Sequence, residues 1–402
     1  MLTGPRLRCP SRCSCARAPR RGARDVTRVV VAIDSFKGSI AAAEAARELA
    51  AGWASADADA VLELRPMADG GEGTLDAFAA AIPEARRMPV TVTGPARTAV
   101  DASWLLLPPT SGDRSAPSGR GSVGVVELAS TSGIELLGDE RRGLDADTTG
   151  FGEAIAAALD AGVDRLVLGI GSSSSTDGGA GMLRALGARF TDAAGRDVVP
   201  GARGLADIAH VDLSELRPLP PGGVDVLSDV SNPLLGTRGA AAVFGPQKGL
   251  DTAQVAAADA ALSRLADLVP DGASLAAAPG AGAAGGTGFG LLAWGARLSP
   301  GAREVAALIG LADAIARADL VITGEGSFDG QSAAGKVPAF VAELAAGAGV
   351  PVALVAGRIA ADADTAAFAS SVSLTDLAGS AEASLADPAR WLRAAGAALG
   401  AT

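Results

Sequence analysis

The chain has 402 residues, 49% of them apolar, with one histidine, three cysteines, no tyrosine and a net charge of −11. That length supports two ordinary cores, and the acidic balance argues against nucleic acid as a partner. The lone histidine, His210, lies in a plain segment and argues against a Ser-His-Asp triad or a His-rich zinc site, and no apolar run is long enough to span a membrane.

Residues 1–28 stand apart. They hold eight arginines and one aspartate, a net of +7, which leaves −18 on the remainder. Cys9, Cys13 and Cys15 all lie here, and three cysteines without a fourth ligand make a poor zinc site. The stretch also lacks the apolar centre of a secretory signal. Residues 1–27 therefore read as a disordered basic extension, in preference to a transit peptide, a metal clip or a nucleic-acid arm. The body, without cysteine, suits a reducing, cytoplasmic setting, as a monomer or homodimer. Its acidity repels anions, so a phosphate ligand needs local Lys, Arg, metal ions and backbone N–H groups.

In chain order, residues 28–33 (RVVVAI) read as a buried strand ending in Asp34-Ser35-Phe36-Lys37, with Ser39 as the N-cap of an Ala-rich helix to about Trp53. Asp34 and Lys37 read equally well as a turn residue and a surface charge. Residues 61–64 form a second strand leading to Asp69-Gly70-Gly71-Glu72-Gly73, where three glycines around two acids suggest a loop wrapped on a ligand, or a turn with helix-start acids. Residues 89–138 read as a β-rich insertion with strands at 88–93, 99–107 and 123–128, and a helix starts near Thr148.

Residues 165–170 (RLVLGI) open into a Gly/Ser-rich loop at 171–181 ahead of a helix. Ser174 stands where a G-x-G-x-x-G fingerprint requires glycine, so a dinucleotide site is discounted, while hydroxyl and N–H groups still suit phosphate. Residues 224–227 form a strand leading to Asp229, Asn232 and then Lys248; the plain alternative is a capped turn. A helix covers 251–268, and 279–290 is either a linker or a loop in close backbone contact. Residues 320–322 form a buried strand followed by a Gly-rich loop at 323–335 bearing Glu325 and Asp329, candidates for Mg²⁺ or for a proton. Lys336 follows, within GQSAAGK, but Val337 stands where a P-loop needs Ser or Thr. A last strand at 351–355 ends at Arg358, a potential bidentate clamp or a surface charge.

Taken together, AIDSFKGS (32–39), PMADGGEGT (66–74), GIGSSSSTDGGAGML (169–183), SDVSNPLLG (228–236), VFGPQKG (243–249), GGTGFG (285–290) and TGEGSFDGQSAAGKVP (323–338) resemble the bacterial glycerate kinases of the type I class, in the family's order. The resemblance implies ATP-dependent phosphorylation of D-glycerate to 2-phosphoglycerate or 3-phosphoglycerate with Mg²⁺. It also implies an α/β fold: a Rossmann- or flavodoxin-like parallel-sheet domain plus a smaller α/β domain inserted in pieces, with a cleft between them. The expected division is 28–88 with 140–200 and 291–402, against 89–139 with 201–290. Thr176 and Ser231 depart from the family's usual Asn and Asp.

Phosphoryl transfer needs charge neutralisation, positioning and a proton acceptor. Asp69, Glu72, Glu325 and Asp329 are the expected metal or hydroxyl partners. Lys37, Lys248, Lys336 and Arg358 are expected to meet phosphates or the glycerate carboxylate, with Asp34, Ser35, Gly70, Gly71, Ser173, Ser174, Asn232 and Gly326 completing the binding set. Asp229 and Asp177 lead as candidate bases, with Lys37 beside them in catalysis. Two other readings are an NAD-dependent oxidoreductase on a Rossmann-like sheet and a non-catalytic sensor of a small hydroxy acid.

Overall fold

A computed structural model describes residues 26–109, 121–330 and 337–401. Cys9, Cys13, Cys15 and Lys336 lie outside the described residues, as does most of the basic extension. The described strands, in chain order, are β1 (Arg28–Ile33), β2 (Val61–Leu64), β3 (Arg86–Thr93), β4 (Ala99–Leu107), β5 (Val123–Glu127), β6 (Arg165–Gly169), β7 (Arg189–Thr191), β8 (His210–Asp212), β9 (Val224–Leu227), β10 (Arg297–Ser299), β11 (Leu320–Phe328), β12 (Val352–Ile359) and β13 (Ser370–Ser373).

Short runs of branched apolar residues pair side by side into two larger sheets. One is fully parallel, in the order β13-β12-β11-β1-β2. The other runs β10-β9-β6-β5-β4-β3, parallel through β5 and antiparallel at β4 and β3. A small antiparallel pair, β7-β8, carries the exposed His210.

Alternation along each strand decides what it packs against. In β1, Val29, Val31 and Ile33 face the helices Ala42–Ala56 and Pro388–Gly400. Val30 and Ala32 face the other way, into a core they share with Leu75 and Phe78 of the helix Thr74–Ala81 and with Leu105, Val125 and Leu227 of the second sheet. The far face of the second sheet, with Val126, Leu168 and Val226, packs on the helices Thr149–Asp160 and Thr252–Leu268. A layer of helices thus lies between the two sheets and belongs to both.

The parallel strands of both sheets end at one cleft. In the first sheet β2 lies on one side of β1 and β11 on the other, so β1 and β11 bound a reversal of strand order, where α/β sheets open a crevice. The two sides touch through backbone. Gly171 N–H donates to the Gly70 carbonyl at 2.9 Å. A Cβ on Gly70 would lie 2.4 Å from the Leu227 carbonyl oxygen, and its φ is +93°. Glycine is required there by space and by conformation.

Several expectations are corrected. β11 does not stop at Ile322: Ser327 and Phe328 pair with Arg358 and Ile359, and Phe328 packs edge-on against Phe368 with ring centroids 5.6 Å apart. Ser39 is not the helix cap; Ala41 holds that position without a side-chain bond. β6, grouped by the sequence with the first sheet, pairs with β5 and β9 in the second, and β10 joins the same sheet. Of the two readings of residues 279–290, the close backbone contact holds and the linker does not: a Cβ on Gly285 would lie 1.9 Å from the Ser175 carbonyl oxygen. The C-terminal helix Pro388–Gly400, unmarked in the sequence reading, covers the outer face of the first sheet.

Replacing Gly70 with Ala forces a positive φ on a residue with a Cβ and drives it into Leu227. The expected loss is roughly 2–4 kcal/mol, read as a lower midpoint in urea or guanidinium. A change below about 0.5 kcal/mol, the range of an ordinary surface substitution, would show that the backbone contact does not hold the two sheets.

Candidate active site

The cleft holds two adjoining cavities, of about 1560 Å³ and about 490 Å³. Ser35, Phe36, Lys37, Ser39, Asp69 and Asp229 line both. Each polar member of that wall follows a parallel strand: Ser35, Lys37 and Ser39 follow β1, Asp69 follows β2, and Asp229 follows β9. Freed from helix capping, the Ser39 side of the turn faces the cleft. The turn is closed by Ser39 N–H donating to the Phe36 carbonyl at 2.8 Å.

Lys37 Nζ meets Asp69 Oδ2 at 3.1 Å, an ion pair between the loops after β1 and β2. The Asp69 charge pushes the Lys37 ammonium above its usual value. Its side chain is 78% exposed, so the pair contributes little to stability and the lysine is accessible to a ligand. Asp229 Oδ1 accepts from Gly301 N–H at 3.0 Å, at the start of the helix Gly301–Leu308. Burial pushes the Asp229 carboxyl up, and the Gly301 bond opposes it. Asp34 Oδ1 accepts from Ser35 N–H at 2.7 Å. Burial, then the neighbouring Asp69, pushes Asp34 up to about 7, with Glu325 adding to the effect.

This crowding of carboxylates suits a divalent cation. Asp34, Asp69, Asp229 and Glu325 border the smaller cavity, and the only basic side chain among its described lining residues is Lys37. No group of three acids among the described residues forms a complete cage. Mg²⁺ asks for less, since it keeps waters and takes one or two carboxylates beside phosphate oxygens. The four expected metal residues do not gather at one point, however. Glu72 lines only the larger cavity, Glu325 and Asp329 only the smaller, and Asp69 both.

Other expected residues divide between lining and scaffolding. Gly71 and Ser173 line the larger cavity, and Gly326 the smaller. Lys248 lines the larger cavity while its Nζ donates to Ser173 Oγ at 2.7 Å, and burial pushes its ammonium down to about 7. Gly70 is the backbone contact described above. Ser174 Oγ donates to the Ser132 carbonyl at 2.8 Å, and Asn232 Nδ2 to the Arg238 carbonyl at 2.7 Å; neither lines either of these two cavities. Arg358 is exposed, reaches Ser327 Oγ at 3.4 Å and lines neither cavity.

Asp177 is a correction. Its side chain is fully buried and faces neither cavity. Oδ2 accepts from Thr148 N–H at 3.0 Å, Thr148 Oγ1 at 2.8 Å and Gly181 N–H at 3.0 Å, and Oδ1 from Ser175 Oγ at 3.0 Å. A carboxylate occupied by so many donors organises the serine-rich loop and is out of reach of a substrate proton. Conversely, the sequence reading passed over Glu127. It is the last residue of β5, 5% exposed, and it reaches the wall of the larger cavity. A single charge closing the run VGVVE was the available signal.

Comparisons with known proteins agree on one family. The family model described as the glycerate kinase family matches residues 29–402. Glycerate kinase from Halalkalibacterium halodurans is 40% identical over 336 residues, 82% of this chain and 85% of that protein. Glycerate 2-kinase from Escherichia coli K12 is 40% identical over 340 residues, 83% of this chain and 86% of its own. A crystal structure described as glycerate kinase 2 from Salmonella typhimurium LT2 superposes with a TM-score of 0.78 at 37% identity, covering 94% of this chain and 98% of that one. None of these supports an oxidoreductase or a sensor.

Two predictions follow from these surroundings. Asp177→Ala leaves buried donors of Thr148 and Gly181 unanswered, so the fold loses about 3–5 kcal/mol, seen as a large drop in unfolding midpoint; an unchanged midpoint would return Asp177 to the list of catalytic candidates. Glu127 is pushed up to about 7, chiefly by burial. The raised value means that the folded state favours the protonated acid. That contribution is complete below about 4.5, the ordinary glutamate value, and is lost as pH rises through about 7. Glu127→Gln stays neutral, so on going from pH 5 to pH 8 its stability relative to wild type rises, by on the order of 2 kcal/mol. A pH-independent difference would contradict the assigned surroundings.

Proposed function

Because the chain belongs to the glycerate kinase family, we propose that its two cavities are the two substrate sites of one phosphoryl transfer, made at the wall they share. The protein is an enzyme that phosphorylates glycerate, with ATP as the donor its family implies. What carries the site reading is that Lys37, Asp69 and Asp229 border both cavities at once. Two substrates that must exchange a phosphoryl group have to meet at such a place.

Size divides the roles. The larger cavity, of about 1560 Å³, takes the nucleotide, with Lys248 and the serine-rich loop on its wall. The smaller, of about 490 Å³, takes D-glycerate. Val337, at the start of the helix Val337–Ala348, borders it, and a helix start favours a carboxylate. Mg²⁺, when bound, neutralises charge on the phosphates, and Asp69 with Asp34 or Glu325 would hold it.

Asp229 is the proposed base. One of its oxygens is taken by Gly301 N–H, and the other makes no hydrogen bond among the described residues. As the glycerate hydroxyl oxygen bonds to the γ-phosphorus, the bond to ADP breaks and the hydroxyl proton passes to Asp229. Lys37 lies against the charge that moves and stabilises it. The product is 2-phosphoglycerate, a reading supported by the E. coli relative named glycerate 2-kinase. No described helix is long and apolar enough to cross a membrane. The cytosol is the proposed setting of the reaction, which a body free of cysteine beyond Cys15 suits.

A coupled ADP-release assay with D-glycerate, ATP and Mg²⁺ tests the reading, with phosphorus NMR giving the position of the phosphate. Asp229→Asn and Lys37→Ala are each expected to lower turnover at least ~100-fold. Near-normal turnover in folded variants would remove those residues from the mechanism. The division of the cavities has its own readout. Lys248→Met raises the KM for ATP, and Leu385→Glu, at the exposed edge of the smaller cavity, raises the KM for glycerate. The opposite pattern would exchange the two sites.

A further inference from the structure

The helix Thr74–Ala81 starts without a cap of its own. Its N-cap position is Gly73, at φ 83°, which has no side chain to accept the first N–H groups. Glu127, from the opposite sheet, takes that place. Its Oε2 accepts from Leu75 N–H at 3.0 Å.

The residues just before this helix are the loop from Asp69 to Gly73. One end of that loop is tied to the loop after β6 by the Gly70 carbonyl accepting from Gly171 N–H. The other end, at Leu75, is tied to β5 by Glu127. Asp69 at the front of the loop holds Lys37 at 3.1 Å. Asp229, across the shared wall, comes from β9 of the same sheet as Glu127. A buried carboxylate is costly where an apolar residue would pack, so its presence here calls for a positional return.

We propose that Glu127 is a positioning residue: by capping the helix Thr74–Ala81 from the other sheet, it fixes Asp69 and Lys37 relative to Asp229 and so sets the rate of phosphoryl transfer. The inference rests on the reading of the cleft as the site of glycerate phosphorylation. It concerns geometry and not ligand contact, so its effect falls on kcat more than on either KM.

The test compares Glu127→Ala, Glu127→Gln and Glu127→Asp in the full chain, by steady-state kinetics and by amide hydrogen exchange over residues 69–76. Glu127→Ala is expected to lower kcat about 100-fold, the scale of a misplacement of about 1 Å, with each KM within roughly threefold, a shift well under 1 kcal/mol. Its exchange across 69–76 speeds up. Glu127→Gln keeps an acceptor for Leu75 and restores kcat and slow exchange. If Glu127→Ala fails to fold, Glu127→Asp decides. Withdrawing the carboxylate by one methylene is expected to lower kcat about tenfold, part of the same misplacement effect. Wild-type kcat and wild-type exchange in Glu127→Ala, or in Glu127→Asp where that variant decides, would overturn the inference. Exchange is read without turnover, so a wild-type protein inactive on glycerate would overturn the functional reading while leaving this one open to its own result.

Discussion

The carbonyl of Gly70 accepts the N–H of Gly171, and the site depends on that contact. The two loops come from different sheets. They approach this closely only because a glycine sits at each contact and because a layer of helices behind them is shared. Leu75 and Phe78 pack with Val30 and Val321 of one sheet and with Leu105 and Val125 of the other. Swinging one sheet away from the other would expose that core, at about 25 cal/mol for each Å² of apolar surface. The cleft is therefore built into the fold itself.

Electrostatics then sort residues of the same type into different work. Asp177 and Asp229 both follow parallel strands of the second sheet, in loops of similar composition. Asp177 is surrounded by donors of its own loop and of Thr148, and is consumed by them. Asp229 spends one oxygen on Gly301 and lies on the wall of both cavities. Asp69 and Glu325 are brought close enough to raise the cost of ionising Asp34, with Lys37 as the nearby opposing charge. On a body that carries −18, a phosphate-handling site needs such a local cation.

Much of the fold was legible as strings of residues. The runs RVVVAI, VLEL, RLVLG and VDVL are too short and too uniformly apolar to be surface helices, and each is a strand. The loops after them carry glycines and acids because parallel strands deliver their C-terminal ends to one cleft. The motifs in these loops could be matched to the family they resemble, and that resemblance implied the activity. What misled was also local. Ser39 had the chemistry of a cap but not the position, and the glycines of GEGSF looked like loop although they lie within β11, paired to β12.

Sequence alone determined the α/β class and most strand positions, because these rest on periodicity and on residue types that neighbours along the chain can reveal, and it carried the motifs whose resemblance pointed to the family. Only the tertiary structure decided which sheet β6 joins, that the Asp177 carboxylate is enclosed while the Asp229 carboxylate borders the cleft, and that Glu127 caps a helix it is separated from by 52 residues at the Leu75 contact. The physical reason is common to all three. Strand pairing, burial and hydrogen-bond satisfaction are set by what arrives from distant parts of the chain, and no local window of residues contains that partner.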